Sequence, residues 1–143
     1  ADGSFDPYEL KGMYNKIKNN SLDLLLASRY KKNASSEDDT LITLIGNKIF
    51  TLIGKVFFKL PISDILYTFV MGRTQKILDL NLKQKDFTLC VELPIKAKRN
   101  DLNIGDIPAN EKSRIGGTKK VNAFKDGFLI LIYMIKLFLK NER

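Results

Sequence analysis

The sequence predicts an α/β fold in a single domain spanning residues 1–143, and three observations carry that expectation. First, "LDLLLASRY" at 22–30 holds a short apolar run that reads as a buried strand. Second, long stretches at 7–20, 40–60 and 122–143 repeat their apolar residues at helical spacing. Third, 143 residues with 44% hydrophobic and 28% charged content suffice for one domain with a real core.

Taken in order, "PYELKGMYNKIKNN" at 7–20 reads as a helix. Pro7 suits a first turn, Leu10, Met13, Tyr14 and Ile17 share a face, and Asn19-Asn20 is a stop. The buried strand follows, and then "KKNASSEDD" at 31–39, a polar loop with little to pack and expected to be mobile. Residues 40–60 form a long helix ended by Pro61. Leu41, Ile45, Ile49, Leu52 and Val56 line one of its faces, and Lys48, Lys55 and Lys59 gather on another. "ISDILYTFVMGRTQ" fits neither period. "DFTLCVELPIKAKRN" reads as a helix with Pro94 near its start or as a strand before a helix, with the helix favoured, and "NIGDIPA" as a short edge strand. "EKSRIGGTKK" is a basic loop, and the tail from Asn122 is a helix that is apolar over 128–135.

Composition narrows the chemistry. With no histidine in the chain, histidine-based triads and histidine metal sites are excluded, so acid–base or metal chemistry must rest on carboxylates. The single cysteine, Cys90, allows no internal disulfide and points to a reducing compartment. In its apolar run it reads as a small buried hydrophobe rather than a nucleophile. A net charge of +8 suits an anionic partner: nucleic acid, nucleotide phosphates or an acidic membrane surface. The basic residues are spread out and no nucleic-acid reader motif is present, which argues against nucleic acid. No apolar run reaches the length of a membrane span. Two lysine-edged apolar helices, at 41–60 and 123–140, nonetheless suit a bilayer interface, although packing into a core is the competing reading.

Several motifs, in order along the chain, carry a resemblance. "ADGS" at the start is similar to the Asp-Ala-Asp-Gly segment of family 2 glycosyltransferases, without its first aspartate. "LDLLLASRY" resembles that family's strand ending in Gly-Ser-Arg-Tyr, with Ala27 for the glycine. "ISDIL" stands where the family has a loop aspartate, and "FTLCVELPIKAKRN" resembles its segment with a glutamate before Leu and Lys-Ala. "IGDIP" resembles the Ile-x-Glu-Val-Pro strand, and Arg114, Gly117 and Lys120 keep the spacing of the Arg-x-x-Gly-x-x-Lys loop ahead of an amphipathic helix. The pattern is nearest the dolichol-phosphate mannose synthase and bacterial polyprenyl-phosphate branches. It departs where relatives carry Gly-Phe-Arg: Phe69 matches, but the arginine is displaced at best to Arg73.

The resemblance implies the C-terminal portion of a GT-A nucleotide-sugar transferase fold whose N-terminal βαβ half lies outside this sequence. Residues 1–60 would hold the end of the metal motif, a strand and an interface helix; 61–122 the acceptor side and basic loop; 123–143 an amphipathic helix. It implies inverting sugar transfer from a nucleotide-sugar donor to a lipid-phosphate or glycan acceptor on the cytoplasmic face of a membrane. This portion alone would be inactive. Asp2 would hold Mg²⁺ or Mn²⁺ against the diphosphate. Arg114 and Lys120 would clamp phosphates, with Gly117 letting the backbone approach. Arg29 would face the acceptor or the diphosphate, or simply form an ion pair at the strand end. Asp64 would be the general base or orient the sugar, or else cap the next segment. Glu92 would support the acceptor side or bond to neighbouring backbone. A basic membrane-peripheral or nucleic-acid-binding module without catalysis is the alternative.

Overall fold

A computed structural model describes residues 3–116 and 122–140. The chain is mixed α/β, as its sequence predicts. Helix α1 (Glu9–Asn19) leads into strand β1 (Leu24–Ser28), all five of whose residues are buried. β1 is the middle strand of a three-stranded sheet. It pairs parallel with β4 (Ile104–Pro108), from Leu24↔Ile104 to Ser28↔Pro108, and antiparallel with the short β3 (Val70–Gly72). Burial on both faces explains the unbroken apolar run, since no position on the strand meets water. β4 is the predicted edge strand.

The polar stretch 31–39 is more structured than its composition suggests. Ser35–Ser36 form a two-residue strand, β2, parallel to β5 (Asn110–Glu111). Glu37 Oε2 accepts from the Ser113 N–H at 3.0 Å, so polar bonds replace the missing apolar packing. The ambiguous stretch 62–75 resolves into an irregular segment, β3, and the start of the short helix α3 (Thr74–Leu78). Its lack of period follows from that division. Helix α4 (Leu89–Arg99) accommodates Pro94 within it.

Helix α2 (Leu41–Phe58) begins at a capping box between Thr40 and Thr43 and ends at Lys59 in the left-handed region, φ 54°. Helix α5 (Ala123–Lys140) lies beside it. Gly127 faces Phe50, and Phe138 meets Phe57 and Phe58 edge-on, so the two helices run in the same direction. The main core gathers Leu24, Leu26, Ile62, Ile65, Val91 and Ile95 with Ile130 and Met134 of α5.

The orientation of α2 inverts the usual rule for a surface helix. Its buried residues are Asn47, Thr51, Gly54 and Phe58. Leu41, Ile45, Ile49, Leu52 and Val56, the apolar face predicted from spacing, are each at least half exposed, with Leu52 and Val56 both at 61%. Thr51 Oγ1 accepts from the buried Ile65 N–H at 3.2 Å. Gly54 lets the helix sit close, because a Cβ there would stand 3.0 Å from Ile65 Cδ1 and 3.1 Å from Leu60 Cδ1. By length and composition α2 could cross a membrane. This corrects the reading of apolar runs alone: Lys48 and Lys55 interrupt each run but leave the helix apolar as a whole.

Candidate active site

The parallel register of β1 and β4 delivers two segments to one place. Immediately past the end of β1, Arg29 turns onto Asp64. Its Nε donates to Asp64 Oδ2 at 2.8 Å, its Nη2 to Oδ1 at 3.1 Å, and its backbone N–H to Oδ2 at 3.2 Å. Asp64 is completely buried. The Arg29 Nη1 also reaches Glu111 Oε2 at 3.2 Å and Asp39 Oδ1 at 3.5 Å. The guanidinium lies 4.6 Å from the centroid of the Tyr67 ring, a cation–π placement. Burial alone would lower the pKa of Arg29, but the bonds and charge of Asp64 outweigh it and hold the guanidinium above its ordinary range. Asn47, oriented so that its amide satisfies both neighbours, donates to Asp64 Oδ1 at 3.1 Å and accepts from the Arg29 guanidinium.

A second layer fixes these groups. Tyr30 donates its hydroxyl to Asp39, and burial together with that bond raises its pKa. Thr43 Oγ1 donates to Asp39 at 3.1 Å, and Ser36 Oγ to Glu111 at 2.5 Å. Alongside, Asp106 accepts from Lys31 Nζ at 2.5 Å and from the Ser63 hydroxyl and N–H at 2.5 and 2.8 Å, pinning the loop that carries Asp64. The Tyr67 hydroxyl is buried without a hydrogen-bond partner.

Above this polar floor a cavity of about 660 Å³ opens between α2 and α5. One end is lined by Arg29, Asp38, Asp39, Asn47, Glu111 and Arg114. The rest is mostly apolar, with Ile42, Ile45, Ile49 and Phe50 on α2 and Phe124, Phe128 and Leu131 on α5, joined by Ser4, Thr43, Thr68 and Asp126. Arg114 Nε contacts Asp38 Oδ2 at 3.2 Å, a pair about a quarter exposed on each side. Carboxylates (Asp38, Asp39, Asp64, Glu111) outnumber the two arginines at this end. The Asp38–Arg114 pair is more exposed than the ion pairs that Arg29 makes with Asp39, Asp64 and Glu111.

Of the residues singled out in the sequence, Arg29, Asp64 and Arg114 come together here. Arg29 forms the ion pair at the strand end, and it also lines the cavity. Asp64 does not cap a following element; it accepts from Arg29. Glu92 stands elsewhere, fully buried on α4, accepting from the Lys83 N–H at 3.0 Å and the Gln84 N–H at 2.8 Å and pairing with Lys96 Nζ at 3.1 Å. These are the backbone bonds of its second reading. Asp2, Gly117 and Lys120 lie outside the described residues. Their described neighbours meet: Lys112 N–H donates to Ser4 O at 3.0 Å, and Gly3 packs on Ile115. Among the described residues no group of three or more Asp, Glu, Cys or His side chains is arranged to hold a metal ion. Cys90 is buried, and burial pushes its thiol up to about 12, as expected of an inert packing residue.

Sequence reasoning missed Asn47, Asp39, Glu111 and Tyr67. Only Asn47 left a signal, as a lone amide on the inward side of an apolar helix.

The Glu92 cluster makes a separate prediction. Burial would raise its pKa, but the Gln84 and Lys83 N–H donors and the Lys96 ammonium prevail and hold it below the ordinary 4.5. A depressed carboxylate contributes stability that is complete above its unfolded pKa and lost as pH falls through the folded one. Glu92→Gln is therefore expected to lower stability at pH 7 and to flatten its decline below about pH 4.5, read from urea midpoints across pH.

No known family profile matches the chain. It is 28% identical over 139 residues to the UDP-N-acetylglucosamine–dolichyl-phosphate N-acetylglucosaminyltransferase of Methanococcus voltae. That match takes in 92% of this chain and 55% of the archaeal protein, so the chain spans about half the length of the curated relative it resembles.

Proposed function

We propose that this chain is the acceptor-side portion of a family 2, GT-A type glycosyltransferase that moves a sugar from a nucleotide-sugar donor onto a polyprenyl phosphate at a membrane surface. One observation carries the reading: the cavity between α2 and α5 has two arginines among carboxylates at one end and a mostly apolar lining beyond them. An isoprenoid phosphate has the same division, with a charged head on a hydrocarbon chain. The similarity to a dolichyl-phosphate transferase supports the same acceptor class. The inverted α2 supports the location, because a helix that presents leucine and isoleucine outward is at its most favourable against lipid.

In this reading the acceptor phosphate displaces Asp38 and meets Arg114, with Arg29 behind it. Arg29 is held rigid with its N–H groups on Asp64, Asn47, Asp39 and Glu111, so it stands behind the phosphate as a fixed positive charge and not as a bond donor to it. The phosphate oxygen is already anionic and attacks the anomeric carbon without first losing a proton, as the nucleoside diphosphate departs from the opposite face. Asp64 then serves as the partner that positions Arg29. Gly117 and Lys120 follow Arg114 in the sequence and are the residues we assign to the phosphates beside it, and Asp2 is the residue we assign to a Mg²⁺ or Mn²⁺ ion.

The test is sugar transfer by the full-length protein to a polyprenyl phosphate and to the matching polyprenol. Transfer is expected only to the phosphate, and Arg114→Gln should lower kcat/KM more than about tenfold, as loss of a charged hydrogen bond implies. Equal use of the uncharged alcohol, or an unaffected Arg114→Gln enzyme, would sink the proposal.

A further inference from the structure

The apolar walls of the cavity are built mainly from isoleucine, leucine and phenylalanine, but each helix contributes one gap. Gly46 of α2 and Gly127 of α5 both line the space. Glycine within a helix is less stable than alanine, and the usual structural reasons for it are missing at these two positions. Neither has a positive φ. A Cβ on Gly54, further along α2, would press on Ile65 and Leu60 at 3.0 and 3.1 Å, so that glycine serves close packing. Among the described residues, a Cβ on Gly46 would meet no heavy atom within 4 Å, and one on Gly127 would meet only the Phe50 ring, at 3.8 Å, an ordinary contact distance.

Packing within the protein therefore leaves a methyl-sized space on each wall. Both spaces lie close to the polar floor. Gly46 precedes Asn47, whose amide donates to Asp64 Oδ1, and Gly127 stands against Phe50, about one helical turn beyond Gly46. An isoprenoid differs from a straight alkyl chain in carrying a methyl branch on every unit. We infer that Gly46 and Gly127 are specificity-determining residues, whose gaps seat the methyl branches nearest the phosphate of an isoprenoid acceptor. The inference rests on the acceptor class proposed above. A straight chain leaves both gaps empty and forgoes the contacts that a methyl group makes with the surrounding wall. Burying one methyl group is worth about fourfold in binding.

The full-length protein is assayed for transfer to phytanyl phosphate and to hexadecyl phosphate, which share a main chain and differ only in methyl branches. Its kcat/KM is expected to favour phytanyl phosphate by about fourfold or more. Gly46→Ala and Gly127→Ala each fill one gap. Each should raise KM for phytanyl phosphate by about fourfold while moving that for hexadecyl phosphate less than about twofold. Gly12→Ala, on α1, is the control: its Cβ also meets nothing within 4 Å, but it does not line the cavity, and both KM values should stand. Alanine favours a helix at all three positions, so the urea midpoint should hold or rise in each variant. A lower midpoint in Gly46→Ala would show that its Cβ meets protein, and would overturn the inference. So would equal use of the two phosphates by the unaltered protein, or a preference that survives both substitutions in the cavity. Those results leave the acceptor class standing, whereas transfer to neither phosphate overturns it as well.

Discussion

Asp64→Asn is expected to destabilise the chain by about 3–5 kcal/mol, the cost of stripping a buried charge pair of one partner. The geometry is the reason. Asp64 is completely buried and takes three hydrogen bonds from Arg29, whose side chain is itself 9% exposed. Asparagine keeps the shape but presents an N–H where the guanidinium needs an oxygen, and leaves Asp39 and Glu111 as the carboxylates paired with the cation. Urea denaturation measures the loss. The same substitution in the full-length protein should lower transfer by misplacing Arg29. A general base would behave differently: its amide would abolish turnover while leaving the unfolding midpoint in place. An unchanged midpoint would remove the ion pair from the account of the fold.

The second large effect separates the two faces of α2. Replacing Leu52 and Val56 together by aspartate is expected to leave the melting temperature within a degree or two, because both side chains already face outward at 61% exposure. Partitioning onto vesicles should fall at least about a hundredfold, since each aspartate in the apolar layer costs about 2 kcal/mol or more. Thr51→Val provides the converse. It leaves the outward face intact but deprives the buried Ile65 N–H of its acceptor, so it should lower stability by about 1–3 kcal/mol without altering vesicle binding. If the aspartate pair unfolded the chain instead, α2 would be a core helix.

How much of this was legible in the sequence depends on which force placed each element. Helices α1, α2, α4 and α5 could be read because their apolar residues recur at helical spacing, and β1 because an unbroken apolar run matches a strand with no wet face. Periodicity states that a helix has an apolar side, not where that side points. In α2 the inward side carries Asn47, Thr51 and Gly54 ahead of Phe58, and the tertiary hydrogen bonds to Asp64 and Ile65 mark it as the packed one. The two-residue strands Ser35–Ser36 and Asn110–Glu111 carry no local signal, because they exist through each other across 75 residues of chain. The same holds for the floor of the site. Arg29, Asp64 and Arg114 stood out through motif order, whereas Asp39 and Glu111 looked like any surface carboxylate until the fold set them around one guanidinium.

The parallel pairing of β1 with β4 has one more consequence. Ser28 stands opposite Pro108, and only two residues further on Asn110 and Glu111 stand opposite Ser35 and Ser36. Those steps gauge the distance from the sheet to Glu111, and through it to Arg114. Side chains along 104–111 can be exchanged at modest cost, but deleting Ala109 would rotate every later position to the wrong side. Divergence in this stretch should therefore proceed by replacement of residues, with insertions and deletions confined to either flank.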